Sequence, residues 1–208
     1  MSPPPAYTPA AAEADVLLLG SPGSGKSTFL ARLPQVRSGK LTSSAPPKPV
    51  DLDSRPFTFS VSLFRRPYIF HIWPSTGTLF LDSFPDQPRF VIITYDVSSR
   101  SSLHNARYYW RKQFSQHYDE LEHTTPVMLL GLKRDLRTDE RDEDGNLICV
   151  MPEEGLLAAQ EMRCDKYAEC SALTGELLWE TVEDITRVAA MTTTERGGLS
   201  EGSGCCIL

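Results

Sequence analysis

Gly20-Ser21-Pro22-Gly23-Ser24-Gly25-Lys26-Ser27-Thr28 follows directly on the apolar run Val16-Leu17-Leu18-Leu19. A short run that is apolar throughout predicts a strand buried on both faces. Residues from about Lys26 to Leu33, stopped by Pro34, predict a helix. The nonapeptide fits G-x-x-x-x-G-K-[S/T] in the setting that motif requires, after a strand and opening a helix. Glycines let backbone N–H groups converge on phosphate oxygens at a helix N-terminus, where the dipole favours anions. Lys26 would neutralise the outer phosphates, and the Ser27 hydroxyl is a ligand for Mg²⁺. Residues Gly20, Ser21, Pro22, Gly23, Ser24, Gly25, Lys26, Ser27 and Thr28 are therefore expected to bind a nucleotide. Pro22 stands apart among them, because it has no N–H to offer.

The rest of the chain sets the scale. Its 208 residues suit one ordinary domain with tails, and 40% hydrophobic with 23% charged residues is soluble globular composition. A net charge of −6 and the lack of a long basic run argue against nucleic acid as a partner and against simple adsorption to anionic lipid. Cys149, Cys164, Cys170, Cys205 and Cys206 form no CxxC pair, and the start carries no signal-sequence pattern, so a cytoplasmic setting is expected. No apolar run approaches the roughly 20 residues that span a bilayer.

Residues 1–13 are rich in Pro and Ala and read as a disordered extension. Residues 38–56 read as a mobile Ser/Pro/Lys segment. Strict alternation from Phe57 to Leu63, a turn at Arg65-Arg66-Pro67 and a return from Tyr68 to Trp73 predict an antiparallel hairpin. Three strand–helix units follow: Phe90–Tyr95 with Leu103, Ala106, Trp110 and Phe114 on one helical stripe; Pro126–Leu130 with a helix near 153–163; and Tyr167–Ser171 with Leu178, Val182, Ile185 and Ala189 at helical spacing. Strands alternating with helices predict an α/β fold, a mostly parallel six-stranded sheet with one antiparallel strand and helices on both faces.

Gly131-Leu132-Lys133-Arg134-Asp135-Leu136-Arg137 and Glu169-Cys170-Ser171-Ala172-Leu173-Thr174 fall after the fifth and sixth strands, at the sheet edge where ligands bind. With these motifs, in this order, the chain resembles Ras-superfamily small GTPases. YAECSALTGE, GLKRDLR and HNARYYW are most similar to the Rho branch. The resemblance implies a P-loop small-GTPase domain over 14–191 that binds GTP/GDP with Mg²⁺ and switches effector proteins, with exchange factors and GTPase-activating proteins as further partners. It implies that Asp135 accepts hydrogen bonds from the guanine N–H and NH₂, which adenine cannot supply. Lys133 would lay its stem along the base, and the Ala172 N–H would meet the guanine oxygen, with Ser171 and Leu173 shaping the loop. Leu132 departs from the family's Asn or Thr, so a polar tie between loops is missing there.

The second departure concerns turnover. Ile72-Trp73-Pro74-Ser75-Thr76-Gly77-Thr78 falls where the family reads Trp-Asp-Thr-Ala-Gly-Gln. Trp73 and Gly77 match, and the Gly77 N–H can still meet a γ-phosphate. The Asp that helps hold Mg²⁺ is Pro74, however, and the Gln that orients water is Thr78. Because hydrolysis of this kind rests on positioning, impaired turnover is expected. The alternatives are a GTPase completed by a partner and a scaffold that binds nucleotide weakly. Thr42 is the single threonine of the mobile segment before Pro56 that could serve as a first-switch Mg²⁺ ligand.

The acidic stretch near 137–147 sits where Rho proteins carry a helical insert. Asp142, Asp144, Asn146 and Glu153 fall at positions of a calcium loop, but Leu147 replaces its required glycine, so a solvated insert is expected. Residues 192–208 read as a flexible tail. Cys205-Cys206-Ile207-Leu208 fits the C-a-a-X form, with Leu favouring geranylgeranyl, or both Cys205 and Cys206 carry lipid. Either ending implies attachment to the cytoplasmic face of a membrane, such as the plasma membrane.

Overall fold

The computed structural model describes residues 11–37, 40–43, 45–52, 56–63, 66–75, 84–121 and 123–193. Gly77, Thr78, Cys205 and Cys206, and the tail beyond Thr193, lie outside them.

The apolar run becomes β1 (Ala12–Leu19), and its position organises everything else. It pairs in parallel with β5 (Arg66–Pro74) on one side and β6 (Phe90–Asp96) on the other. β7 (Val127–Leu132) and β8 (Lys166–Glu169) extend the parallel part, and β4 (Phe57–Leu63) runs antiparallel to β5 at the opposite edge. The order is β4-β5-β1-β6-β7-β8, six strands with one antiparallel pair. Side chains alternate along β1, so Val16 and Leu18 enter one core while Leu17 and Leu19 enter the other. The first core is closed by α1 (Lys26–Arg32) and α5 (Leu178–Thr193), through Phe29, Leu30, Val182, Ile185 and Ala189. The second is closed by α2 (Arg100–Asn105), α3 (Arg111–His117) and α4 (Pro152–Glu161), and by a π-helical turn, Ala106–Trp110, that joins α2 to α3. Trp110 and Phe114 fill that side. No helix among the described residues is long and apolar enough to cross a membrane.

Several boundaries move. β1 opens at Ala12, inside the stretch read as extension, because Ala12 and Glu13 still pair with Tyr68 and Ile69. Arg66 and Pro67 belong to β5, opposite Leu63 and Ser62, so the turn is tighter than expected. Pro67 precedes the pairing with β1, where its missing N–H leaves no gap in that ladder. β8 ends at Glu169, which puts Cys170 and Ser171 in the following loop. Within 38–56 the described residues include β3 (Lys40–Leu41), paired with β2 (Val36–Arg37), and residues 45–52, whose Val50 N–H donates to Ser27 O. The insert carries no helix. Arg141 and Leu147 bridge across a turn in which the Asp142 carboxylate accepts from the N–H of Asp144 and Asn146. That backbone capping accounts for the spaced acidic residues.

The packing of α4 on the sheet depends on Gly155. A Cβ there would lie 2.1 Å from the Tyr167 hydroxyl and 2.5 Å from that of Tyr95. Overpacking of this kind costs about 1–3 kcal/mol, against the ~1 kcal/mol by which a helix favours Ala over Gly. Gly155→Ala is therefore expected to lower the midpoint of thermal unfolding, and an unchanged or raised midpoint would show that α4 does not rest on the two tyrosines.

Candidate functional site

At the C-terminal end of β1 the chain turns through residues 20–25 into α1. Gly25, just before the helix, has φ 106°, a left-handed conformation suited to glycine. Lys26 is buried, and its Nζ donates to Gly20 O at 2.6 Å and Ser21 O at 3.0 Å. Burial pushes its ammonium down from 10.5 to about 8. Three neighbours hold the loop in place. Ser24 Oγ lies 3.0 Å from Thr94 Oγ1 on β6. Ser75 Oγ, just past β5, donates to Gly20 O at 3.2 Å. Trp110 Nε1, from the π-helical turn, donates to Ser21 Oγ at 3.1 Å.

Above this loop is a cleft of about 510 Å³, the size of a small-molecule site. It is lined by Pro22, Gly23, Gly25, Lys26, Ser27 and Thr28 of the loop and α1, by Lys133, and by Val50, Asp51, Leu52 and Ser75. Thr42 does not line it. Its N–H and hydroxyl both engage Gln35 O, beyond the C-terminal end of α1, which keeps it away from Ser27.

Of the loops that follow β7 and β8, Lys133 lines the cleft, while Asp135, Ser171, Ala172 and Leu173 are not part of its lining. Lys133 has φ 61°, uncommon for a residue with a side chain, and its ammonium pairs with Asp96 Oδ2 at 2.6 Å. Asp135 accepts a hydrogen bond from the Ser171 hydroxyl, whose oxygen in turn accepts the Thr174 N–H at 3.0 Å. Ala172 and Leu173 turn their carbonyls inward, onto Arg32 of α1. Leu132, the residue before Lys133, is buried, and its side chain offers no polar atom for a tie between loops.

A parallel sheet whose first strand feeds a glycine–lysine–serine loop, faced by two loops from the last two strands, matches the Ras family model over residues 15–191. The chain belongs to the Ras family. Proteins named for Rho are among its curated relatives. It is 31% identical over 119 residues to "GTP-binding protein RHO2" of Saccharomyces cerevisiae, covering 57% of each chain. It is 33% identical over 129 residues to "GTP-binding protein rho1" of Schizosaccharomyces pombe, covering 58% of this chain and 61% of that one. A longer match, 24% identical over 182 residues, joins it to "Rho-related protein racI" of Dictyostelium discoideum, covering 83% and 84%. In the two shorter of these matches the chain spans 57% and 61% of its relatives' length.

In this Ras-family chain two contributors to the site were not legible from motifs. Asp51 lines the cleft together with Ser27, next to Val50, whose N–H donates to Ser27 O, and nothing in its local sequence marks it. Arg32 had a signal, since it shares the apolar stretch of α1 with Phe29, Leu30 and Leu33 and is itself buried. Behind the Lys133–Arg137 loop lies a third feature, a buried ion pair. Arg137 donates to Glu169 Oε2 at 2.6 Å and Oε1 at 2.5 Å, and to Val150 O at 2.9 Å, while Tyr95 and Tyr167 donate to the same carboxylate. Burial works against the charge on Glu169, but Arg137 and the tyrosine hydroxyls outweigh it and hold the carboxyl below its ordinary 4.5. The pair ties the loop after β7 to the last residue of β8.

Removing one member strands the other without solvent, and breaking a buried pair costs about 3–5 kcal/mol. Glu169→Gln, which keeps the shape and some hydrogen bonding, is expected to lose about 3 kcal/mol at pH 7. A carboxyl held below its unfolded value stabilises fully above pH 4.5, and this is lost as pH falls through the folded value. The gap between parent and variant in urea unfolding should therefore narrow below pH 4.5, and a gap independent of pH would refute the pairing.

Proposed function

We propose that this chain is a guanine-nucleotide switch of the Rho type, binding GTP and GDP with Mg²⁺ and hydrolysing GTP slowly when alone. The observation that carries the reading is that Lys26, Ser27 and Lys133 line one cleft, while Ser171 holds Asp135 two residues beyond Lys133. Lys26, with the N–H groups of the 20–25 loop, would take the polyphosphate. Asp135 would accept from the guanine N–H and NH₂, and the Ser171 hydroxyl already fixes its rotamer. The Ala172 N–H would meet the guanine oxygen. The oxygen donors facing the phosphate end, the Ser27 hydroxyl and the Asp51 carboxylate, suit a hard cation, and these two would hold Mg²⁺. The ion would neutralise charge between the outer phosphates. Asp51 thereby takes the part that Pro74 cannot fill.

Slow hydrolysis is supported by what stands at the end of β5. Pro74 is buried opposite Leu18 and brings no oxygen ligand, and the Ser75 hydroxyl is engaged with Gly20 O. Thr78 has a shorter reach than the glutamine that would orient water. With the chemistry weakened, the nucleotide acts through the loops it contacts. Residues 45–52 lie against the first turn of α1, and their docked form is what effectors, exchange factors and GTPase-activating proteins would recognise.

The decisive experiment is to release and identify nucleotide from the purified protein, then follow single-turnover GTP hydrolysis. Bound guanine nucleotide with slow turnover is expected. Turnover as brisk as that of ordinary Rho proteins overturns the slow-hydrolysis reading, and a chain that takes up no nucleotide overturns the switch. Lys26 adds a pH signature. Its ammonium is held at about 8 by burial, and a polyphosphate favours the charged form, so binding should take up a proton above that value. Nucleotide affinity is expected to fall as pH rises from 7 to 9 in the parent protein, while Lys26→Met binds weakly with a flat profile.

A further inference from the structure

Arg32 ends α1 with its side chain 1% exposed. Its guanidinium makes contacts in two directions. Toward the loop after β8, Nε donates to Ala172 O at 2.8 Å and Nη2 to Leu173 O at 2.5 Å. Toward the segment after β3, Nη1 donates to Ala45 O at 2.8 Å and Ser43 O at 3.1 Å, and to Gln35 Oε1 at 2.7 Å. Four of the five acceptors are main-chain carbonyls, and no carboxylate among the described residues forms an ion pair with it. A buried guanidinium keeps its charge and needs its donors filled. If either loop left, the N–H groups facing it would be stranded. The planar fork cannot follow one loop without turning away from the other.

We propose that Arg32 is a positioning residue that makes the base-contacting loop and the first loop close together, so that release of nucleotide and undocking of Ser43 and Ala45 are one event. The proposal rests on the nucleotide reading above for its meaning, but the coupling itself stands on this geometry. Arg32 supplies what Leu132 lacks. The position where the family has a polar tie between loops holds a buried aliphatic side chain, and a cation from the phosphate-loop helix grips the same loop from the other side. The grip reaches further than the lost one, because it includes the segment that continues to Val50 and Asp51 at the phosphate end of the cleft.

The test uses the full chain as parent, Arg32→Lys and Arg32→Gln. Dissociation of a fluorescent GDP analogue is followed in Mg²⁺, and amide hydrogen exchange is read over 40–52 and 170–176. Loss of a charged hydrogen bond weakens an interaction by roughly tenfold or more, so both variants should release nucleotide at least tenfold faster. Both segments should lose protection together while residues 152–169 keep theirs. Lysine retains the charge but not the fork, and is expected to behave like glutamine. Parent-like release from Arg32→Lys, or loosening of one segment without the other, overturns the proposal. Should the variants fail to fold, the parent decides. In sub-denaturing urea the two segments are expected to open with equilibrium constants within threefold of each other, and a difference above tenfold refutes the coupling. A parent that binds no guanine nucleotide defeats the functional reading, yet the exchange comparison still tests Arg32.

Discussion

From Val16 to Leu18, β1 is buried on both faces and paired on both edges, and the rest of the molecule follows from that confinement. A stretch with no exposed side carries apolar residues, and its end is fixed from four directions. The neighbours diverge there, since the chain reaches β5 on one side and β6 on the other. The loop leaving β1 therefore opens at the point where a parallel sheet leaves room for a ligand. Thr94 and Ser75, from the two flanking strand ends, hold that loop by hydrogen bonds to its own atoms.

Buried cations recur around this point, and each is balanced differently. Lys26 rests on two loop carbonyls, and desolvation leaves it ready to give up its proton near pH 8. Arg32 rests on carbonyls of two separate loops. Arg137 has a full carboxylate partner in Glu169. The difference has consequences. A cation that leans on carbonyls is satisfied only while those loops stay put, so its loops are coupled to one another. A cation paired with Glu169 is satisfied within the sheet and serves as a fixed support for Lys133 and Asp135. The proposed site thus has a rigid wall behind the base and a coupled pair of loops in front of it.

The replacements at Pro74 and Leu132 are of one kind. Each puts an apolar side chain where the Ras-family pattern has a polar one. The chain does not leave these gaps as unpaired polar groups, which would be costly in a dry interior. It fills them with packed aliphatic atoms, and polar groups from elsewhere are proposed to take over, Asp51 from the lining of the cleft and Arg32 from α1. Ligand handles can be relocated in this way because they need only reach the right place. A group that must aim a water molecule cannot be moved so freely, which is why binding and turnover are proposed to separate.

The local code was readable wherever one segment makes its own decision. The apolar run of β1, the alternation of β4, the stripes on α1 and α5, and the glycine–lysine–serine loop each declare themselves over a few residues, because burial of one face or convergence of N–H groups is a short-range requirement. A mostly parallel six-stranded sheet with one antiparallel strand followed from those periods, while the strand order was visible only in the structure. Strand limits at Ala12, Arg66 and Glu169 did not, since pairing with a neighbour sets them and the neighbour is distant in sequence. Tertiary structure alone decided that Gly155 faces two tyrosines, that Asp51 joins Ser27 in lining one cleft, and that Arg32 bridges Ser43 and Ala45 to Ala172 and Leu173. The Arg32 contacts across those loops join groups 11 to 141 residues apart through a buried charge. Nothing in any single stretch records them, because the requirement that a desolvated guanidinium find its acceptors exists only after the chain has folded around it.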